Sequence, residues 1–336
     1  MEAWEAKKKL DTTIKKGRVH LYKPIQIAEI LFKSRTQGEI DFLELETYRS
    51  QSRSWRSKVA CDLVGRDSSS SAKFQDNLFD ENAVPPEALA KLGEINEAYE
   101  GAVEAYIYSA FGKRLSQMRA ALLLVDEATP ESFCLFDFIN SFQSNPGLKR
   151  SVDKIYEIVV YALFISLLNH LEIKVGVKIE NPESALLVEF RDFVGKILGI
   201  KEEELGVFSP PKVFRVGVTN AADRGLDMWS NFGPAIQIKH MSLSEKIVEE
   251  ISDSVSADRI VIVCKDCDKD ILASIINQFG EGGKIQSVIT EEELLDWYER
   301  ALRGSSKETL GEDILRTLKS EIEAEFPSSG GTFEKF

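Results

Sequence analysis

The sequence predicts an α/β protein in which a mixed β-sheet flanked by helices follows a helical N-terminal domain. From about residue 150, short segments rich in β-branched residues, such as "DRIVIVC", alternate with helical segments. The segments before this point have mainly helical spacing. The chain has 336 residues, of which 43% are hydrophobic, so it is long enough for two domains with buried cores.

We predict three parts of the chain. Residues 1–148 form a helical N-terminal domain, residues 149–304 form the α/β core, and residues 305–336 add a helix and a loose tail.

Amphipathic spacing and typical helix-end residues predict three helices in the N-terminal part of the chain. Residues 2–16 read as a charged amphipathic helix, and Pro24 suits the first turn of a second helix, where its missing N–H costs nothing. The polar turn "TQGEID" separates this helix from a third one within "FLELETYRSQSRSWRSKVACDLVG". Two short helices, a turn and a third helix suit a helix-turn-helix or winged-helix module.

Basic residues on and after the third helix are candidate DNA contacts. Arg49, Arg53 and Arg56 recur at spacings of four and three, which places them on one helix face. Arginine pairs with guanine or neutralises phosphate, whereas the alternative is an ordinary solvated face. Lys73 lies in the polar segment 66–77, which is either a phosphate-contacting loop or a linker.

Charge and composition are compatible with a phosphate-binding protein and argue against a membrane or secreted protein. The net charge is -13, yet residues 1–75 carry 15 Lys/Arg against 10 Asp/Glu. An acidic body with a basic N-terminal part is compatible with phosphate binding at one face. No apolar run reaches the ~18 residues of a membrane span, and the N-terminus lacks a secretory apolar segment. Four cysteines make no disulfide framework, so we expect a cytoplasmic protein.

The C-terminal part reads as a series of helices and strands. A long apolar helix, "VDKIYEIVVYALFISLLNHL", comes first. The predicted strands are "EIKVGVKI", "KVFRVGVTN", "AIQIKH", "DRIVIVC" and "IQSVIT", and the later helices are "NPESALLVEFRDFVGKILGI", "SLSEKIVEEISDSV", "KDILASIINQF" and "EEELLDWYERAL". Asn181 followed by Pro182 suits a helix N-terminus. Upstream, "ESFCLFDFINSF" predicts core packing, because an aromatic platform for bases is normally interleaved with basic residues.

Asp227, Gln237 and Lys239 form the candidate site. We expect "KVFRVGVTN" and "AIQIKH" to pair as antiparallel neighbours, which brings Asp227 beside Gln237 and Lys239. Residues two apart on a strand face the same way, so Gln237 and Lys239 point together on the open face. A carboxylate and an amide oxygen suit Mg²⁺, and an ammonium beside the ion can hold an attacking water.

These residues resemble a known nuclease core. An acid followed by "QIK" on adjoining strands resembles the PD-(D/E)xK pattern, with Gln in place of the second acid. Five longer stretches resemble the HaeII family of type II restriction endonucleases: "GRVHLYKPIQIAEIL", "SSAKFQDNLF", "RSVDKIYEIVVYALF", "FRVGVTNAADRGLDMWSNFGPAIQIKH" and "DRIVIVC". The resemblance implies a PD-(D/E)xK core behind a DNA-binding or accessory N-terminal domain.

The resemblance also implies a role for each site residue. Asp227 is then the main metal ligand, Gln237 the second ligand and Lys239 the catalytic lysine, with the Ile238 backbone carbonyl as a further ligand of Mg²⁺. Glu157, on the long apolar helix, is either an additional catalytic acid and metal ligand or a structural carboxylate with a partner.

Gln237 departs from the usual pattern because a neutral amide adds no charge to the metal. Metal affinity should therefore fall unless Glu157 or Asp223 compensates. We therefore expect Gln237→Glu to keep activity and to change the metal preference.

The implied substrate is palindromic double-stranded DNA of the purine-GCGC-pyrimidine kind, cut by a homodimer. Arg224 and His240 flank the site and are further candidate DNA contacts. Two alternatives stay open: a DNA-binding regulator with a non-catalytic α/β body, and a structure-specific repair nuclease with the same core.

Overall fold

The computed structural model describes residues 1–17, 22–38, 40–64, 78–216, 226–280 and 283–326. These residues form two compact units, which are described separately. The first comprises the described parts of residues 1–155 together with 318–326, and the second lies within residues 156–317. The predicted boundaries at residues 148 and 304 stay a prediction.

The first unit is helical, as predicted. Its helices are α1 (Ala3–Lys16), α2 (Tyr22–Gln37), α3 (Arg49–Val64), α4 (Pro86–Ala98), α5 (Ala102–Asp126) and α6 (Leu135–Gln143). No described residue before Val175 is in a strand. The winged-helix form of this unit stays a prediction, and residues 65–77 after α3 lie outside the described residues.

The phenylalanine-rich segment packs into the core of this unit. Phe133, Phe138 and Phe142 are each at most 2% exposed. The ring centroids of Phe138 and Phe142 lie 5.4 Å apart in an edge-to-face arrangement. The predicted core role of "ESFCLFDFINSF" is confirmed.

Helix α3 buries one of the three candidate DNA-binding arginines. Ser52, Arg56 and Ala60 recur every four residues and form its buried face. The Arg56 guanidinium donates a hydrogen bond of 3.4 Å to Gln26 Oε1, and Gln26 Nε2 donates one of 2.9 Å to Ser52 Oγ. The interpretation of Arg49, Arg53 and Arg56 as one exposed stripe was therefore wrong, because Arg56 is 3% exposed.

The second unit alternates strands and helices. Its elements are α7 (Val152–His170, whose residues from 156 on belong to this unit), β1 (Val175–Lys178), α8 (Ala185–Glu189), α9 (Arg191–Phe193), a π-helical turn (Val194–Leu198), β2 (Gly206–Ser209), β3 (Val213–Arg215), β4 (Met228–Ser230), β5 (Ala235–Leu243), α10 (Glu245–Ser254), β6 (Ile260–Cys267), α11 (Lys269–Gly280), β7 (Ile285–Thr290), α12 (Glu291–Arg303), a second π-helical turn (Lys307–Gly311) and α13 (Glu312–Glu325, whose residues from 318 on belong to the first unit).

Five of the strands form one mixed sheet in the order β3-β4-β5-β6-β7. The pairs β3–β4 and β4–β5 are antiparallel, whereas the pairs β5–β6 and β6–β7 are parallel. The mixed sheet flanked by helices is confirmed. The predicted pairing of "KVFRVGVTN" with "AIQIKH" was wrong, because β4 lies between β3 and β5.

The two faces of the sheet carry different helices. Ala235, Ile260 and Ile262 pack in one cluster with Val248 of α10 and Ile275 of α11. On α12, the buried Tyr298 hydroxyl donates a hydrogen bond of 2.8 Å to the Val159 carbonyl of α7. Helix α12 also contacts β6 and β7, so we infer that it covers the opposite face, with α7 packed against it.

The N-terminus of α8 differs from the prediction. The short helix α8 begins after Ser184 rather than at Asn181, so the predicted N-cap was wrong.

No helix among the described residues is long and apolar enough to span a membrane.

Candidate active site

A tight hairpin turn positions the candidate site. Residues 231–234 connect β4 to β5, and Gly233 has a φ of +120°, which favours glycine. The Ser230 hydroxyl donates to the Pro234 carbonyl over 2.8 Å, and the Arg259 guanidinium donates to the Phe232 carbonyl over 2.6 Å. These bonds fix the register of β4 against β5.

Asp227 lies at the start of β4, beside the central strand β5. Met228 pairs with Ile236 in the antiparallel register, so the next position brings Asp227 opposite Gln237. The Asp227 Oδ2 atom accepts hydrogen bonds of 2.7 Å from Gln237 Nε2 and 2.7 Å from the Ile238 N–H. The predicted proximity of Asp227 and Gln237 therefore exists, although an additional strand creates it.

Gln237 is buried rather than on an open face. Its exposed fraction is 3%. With Nε2 donating to Asp227, its Oε1 atom is buried and has no hydrogen-bond partner within the described residues. A buried acceptor without a donor costs about 1–3 kcal/mol, so a cation or a donor at this atom would remove that cost.

The Ile238 backbone turns toward the same carboxylate. In an extended strand, the N–H and C=O of one residue point to the same neighbouring strand. Because the Ile238 N–H donates to Asp227, its carbonyl also faces the β4 edge. Asp227, Gln237 and Ile238 thus supply oxygen atoms along one short edge.

Lys239 follows on the face of β5 that carries Gln237. Its side chain is half-buried, and its ammonium makes no hydrogen bond or ion pair with any residue that the structure describes. The pairing of β5 with β6 shifts by one residue between Lys239 and Ser242. Such a bulge redirects side chains, and bulges are frequent beside active sites.

Cys264 is the partner of Lys239 on β6. The thiol is fully buried, and burial raises its pKa to about 12. At neutral pH the neighbour of Lys239 on β6 is therefore the uncharged Cys264 thiol.

The oxygen donors fit a hard divalent cation. Magnesium is normally held by one or two carboxylates, with water and substrate phosphate as further ligands. No cluster of three or more His, Cys, Asp or Glu side chains able to hold a metal occurs in the part of the chain that is described. One carboxylate, one amide oxygen and one backbone carbonyl would thus need a phosphate to complete the site.

Glu157 lies on α7 and is 5% exposed. Gln237 shares its face of the sheet with Ala235, whose cluster includes α10 and α11 but no residue of α7. This packing gives no support to Glu157 as a ligand beside Gln237, and its catalytic role stays a prediction.

The remaining candidate DNA contacts that the structure describes lie on α3 and β5. Arg49 binds Glu46 over 3.0 Å, Arg53 is half-buried, and His240 is half-buried next to Lys239. Lys73 and Arg224 lie outside the described residues, as does Asp223. The DNA-binding roles of these residues stay predictions.

Strand β4 is the element of the candidate site that sequence reasoning missed. Its three residues, "MWS", are too few to show an alternating pattern. With β4 comes Trp229, which stacks on Phe214 of β3 beside the candidate site. The usable signal was the turn "NFGP", which predicts a hairpin and hence a strand on each side.

Comparison with known proteins places these residues in a family context. The profile described as HaeII restriction endonuclease matches residues 6–336. The type II restriction enzyme NgoBI of Neisseria gonorrhoeae is 52% identical over 329 residues, which are 98% of this chain and 93% of that protein. The type II restriction enzyme HaeII of Haemophilus aegyptius is 51% identical over 324 residues, 96% of this chain and 92% of that protein. No solved structure gives a significant match.

Proposed function

The chain belongs to the HaeII restriction endonuclease family and is a type II restriction endonuclease, and from this premise we propose that Asp227, Gln237 and Lys239 form its catalytic site. The proposed reaction is Mg²⁺-dependent hydrolysis of a phosphodiester bond in double-stranded DNA. The proposed core is of the PD-(D/E)xK type, and the proposed target is a palindrome of the purine-GCGC-pyrimidine kind.

One observation carries the assignment: the Asp227 carboxylate contacts both the Gln237 side chain and the Ile238 backbone. Asp227, Gln237 Oε1 and the Ile238 carbonyl would hold the cation. When bound, Mg²⁺ would neutralise phosphate charge and lower the pKa of a coordinated water. The buried Gln237 Oε1 atom supports this, because it is an acceptor that lacks a donor within the described residues.

Lys239 supplies the cationic group of the chain itself. Its ammonium donates hydrogen bonds to the attacking water and to a phosphate oxygen, which orients the water and offsets the charge that develops on the phosphate. The attacking water releases a proton to solvent as its oxygen bonds to phosphorus, and the bond from phosphorus to the 3′ oxygen breaks. The 3′ oxygen takes up a proton, so the products carry a 5′-phosphate and a 3′-hydroxyl.

Digestion of plasmid DNA tests the reaction. With Mg²⁺ we expect discrete fragments whose ends map to one palindrome, and with EDTA we expect intact DNA. Cleavage confined to junctions or damaged sites would favour a repair nuclease. DNA that is bound but never cut would favour the regulator and would contradict the proposal.

A homodimer would cut both strands of a palindrome, because each subunit would bring one site to one strand. An apolar surface in the second unit supports a protein partner. Within residues 171–210, Ile200 is the one buried residue. The large apolar side chains here that are between 48% and 70% exposed include Leu186, Val188, Phe190, Phe193, Ile197 and Phe208.

Exposed apolar side chains concentrated in one segment are typical of a surface that binds another protein, and in a homodimer that protein is a second copy of the chain. Residues 171–210 contain more acidic than basic residues, so DNA is a poor occupant.

Sedimentation of two charge variants tests the dimer. Val188→Glu would place a carboxylate on this surface, whereas Leu123→Glu changes an apolar residue of α5 that is 51% exposed. We expect the wild type and Leu123→Glu to sediment as dimers and Val188→Glu as a monomer. A wild-type monomer on DNA, or an intact Val188→Glu dimer, would contradict this interface.

A further inference from the structure

Two aromatic rings are stacked on the exposed edge of the sheet. Phe214 of β3 and Trp229 of β4 are direct cross-strand partners. Their ring centroids lie 4.2 Å apart with an interplanar angle of 19°. Phe214 is 36% exposed and Trp229 is 46% exposed, so the pair presents apolar surface to solvent.

The pair lies on the face of the sheet that carries the proposed catalytic residues. Trp229 is two residues beyond Asp227 on the same strand, so both side chains point to one face, about 7 Å apart along the strand. The partner of Trp229 on β5 is Ala235, and Gln237 follows two residues later on that face. Because Ala235 is small, no bulky side chain on β5 separates the indole from the site.

Packing of the hairpin does not require exposed rings. Met228 and Ser230 point to the opposite face of β4 and are buried, and β4 is bonded on both sides. A stacked cross-strand pair stabilises a hairpin by roughly 0.2–1 kcal/mol, but a valine or threonine pair would do so with less exposed apolar area. The position and exposure of Trp229 therefore point to a ligand.

We propose that Trp229, held in its orientation by Phe214, packs against the nucleotide next to the scissile phosphate. This inference rests on the proposed function, which brings a DNA strand over Asp227 and Lys239. The deoxyribose and base of the adjoining nucleotide are the apolar surfaces that such a strand offers at this distance. Aromatic rings stack on any base or sugar, so the contact positions the strand without reading its sequence.

The stack makes Trp229 a positioning residue. Phe214 restricts the rotation of the indole before DNA arrives, which reduces the entropy lost on binding. A ring fixed against one nucleotide also fixes the neighbouring phosphate over the oxygen atoms of Asp227, Gln237 and Ile238. We therefore expect removal of the ring to affect both DNA affinity and the rate of the bound complex.

Substitution of the full-length protein tests this role. Trp229→Val keeps a good strand former but removes the ring, whereas Trp229→Phe keeps a ring. We expect the dissociation constant for a short duplex with a purine-GCGC-pyrimidine site, measured in EDTA, to rise between about fivefold and a hundredfold for Trp229→Val. For Trp229→Phe we expect a rise below about threefold.

The control is Phe136→Ala, which removes a ring of α6 that is 55% exposed and should leave affinity and cleavage unchanged. Melting temperatures and sedimentation of all variants show whether folding or assembly has changed. Wild-type affinity and cleavage in Trp229→Val would overturn the inference. So would loss of the dimer in this variant, since the ring would then belong to a subunit contact.

Fluorescence gives a second readout that does not depend on how Trp229→Val folds. The chain has four tryptophans, at positions 4, 55, 229 and 297. We expect the same duplex to quench the wild type more strongly than Trp229→Phe, because a nucleotide stacked on the indole quenches it. Equal quenching would overturn the inference, whereas a wild type that neither binds nor cuts DNA would refute the proposed function itself.

Discussion

Asp227 and Gln237 are joined by a hydrogen bond of 2.7 Å between the Asp227 Oδ2 atom and Gln237 Nε2, across the antiparallel strands β4 and β5. The bond uses the donor of the amide and leaves its oxygen buried without a partner in the described part of the chain. An acid and an amide oxygen in this arrangement are ligands for a hard cation.

Removing the charge of Asp227 should abolish most of the activity. Asparagine at this position keeps an acceptor for the Ile238 N–H but carries no charge for the metal. We expect Asp227→Asn to lower the cleavage rate by at least about a hundredfold and to weaken Mg²⁺ binding. Asp192→Asn, at a side chain that is 73% exposed, is the matched control. Calorimetric metal binding and cleavage that both match the wild type would refute the role of Asp227.

Gln237→Glu should preserve activity while changing how the protein responds to metal and pH. Two carboxylates in contact repel, which raises the pKa of one of them in the metal-free protein. A raised carboxyl pKa means that stability is lost as pH rises above about 4.3, the usual pKa of glutamate. We expect metal-free Gln237→Glu to melt below the wild type at neutral pH and to gain more from added Mg²⁺. Identical melting with and without metal would contradict this prediction.

Arg56 should contribute more to the stability of the fold than Arg53. Arg56 is buried and binds Gln26, so Arg56→Met should lower the free energy of unfolding by about 1–3 kcal/mol. Arg53 is half-buried on the same helix, and Arg53→Met should leave stability within about 0.5 kcal/mol. Urea unfolding measures both values. A fully stable Arg56→Met protein would contradict the structural role of Arg56.

If Arg53 contacts DNA, Arg53→Met should weaken duplex binding and reduce its dependence on salt. Unchanged affinity at low and high salt would remove Arg53 from the DNA contacts.

The buried Cys264 thiol should make the protein less stable at alkaline pH. Burial raises its pKa to about 12, whereas an unfolded thiol ionises near pH 8.5. Between these values the unfolded state holds fewer protons, so stability falls as pH rises, by at most about 1.4 kcal/mol per pH unit. We expect Cys264→Ala to show a shallower decline in unfolding free energy from pH 9 to 11 than the wild type. Equal slopes would mean that Cys264 does not contribute.

The sequence predicts most elements of the second unit because their patterns are long. The buried strand β6 has five consecutive buried residues from Ile260 to Cys264, which is typical of a strand covered on both faces. Helix α12 has a capping box in which Thr290 and Glu293 bond each other's backbone N–H groups. Local chemistry of this kind is readable without a structure.

Tertiary context determines what the sequence does not specify. Strand β4 forms because its backbone is bonded by β3 and β5, and a three-residue segment carries no pattern of its own. Gln237 alternates with isoleucines, which predicts an open face, yet the residues packed around β5 bury it. Arg56 has the spacing of an exposed stripe, but its face of α3 packs on α2 through Gln26.

Single-turnover cleavage by Lys239→Ala tests the central claim most directly. The enzyme is held in excess over a duplex with the target site, Mg²⁺ is added, and the rate of strand scission is compared with that of wild type and of Lys246→Ala, whose side chain is 84% exposed on α10. We predict a rate at least about a hundredfold lower for Lys239→Ala, with duplex affinity within about threefold of wild type, and a normal rate for the control. A folded Lys239→Ala protein that cuts both strands at the wild-type rate would contradict the assignment of this ammonium to the catalytic site.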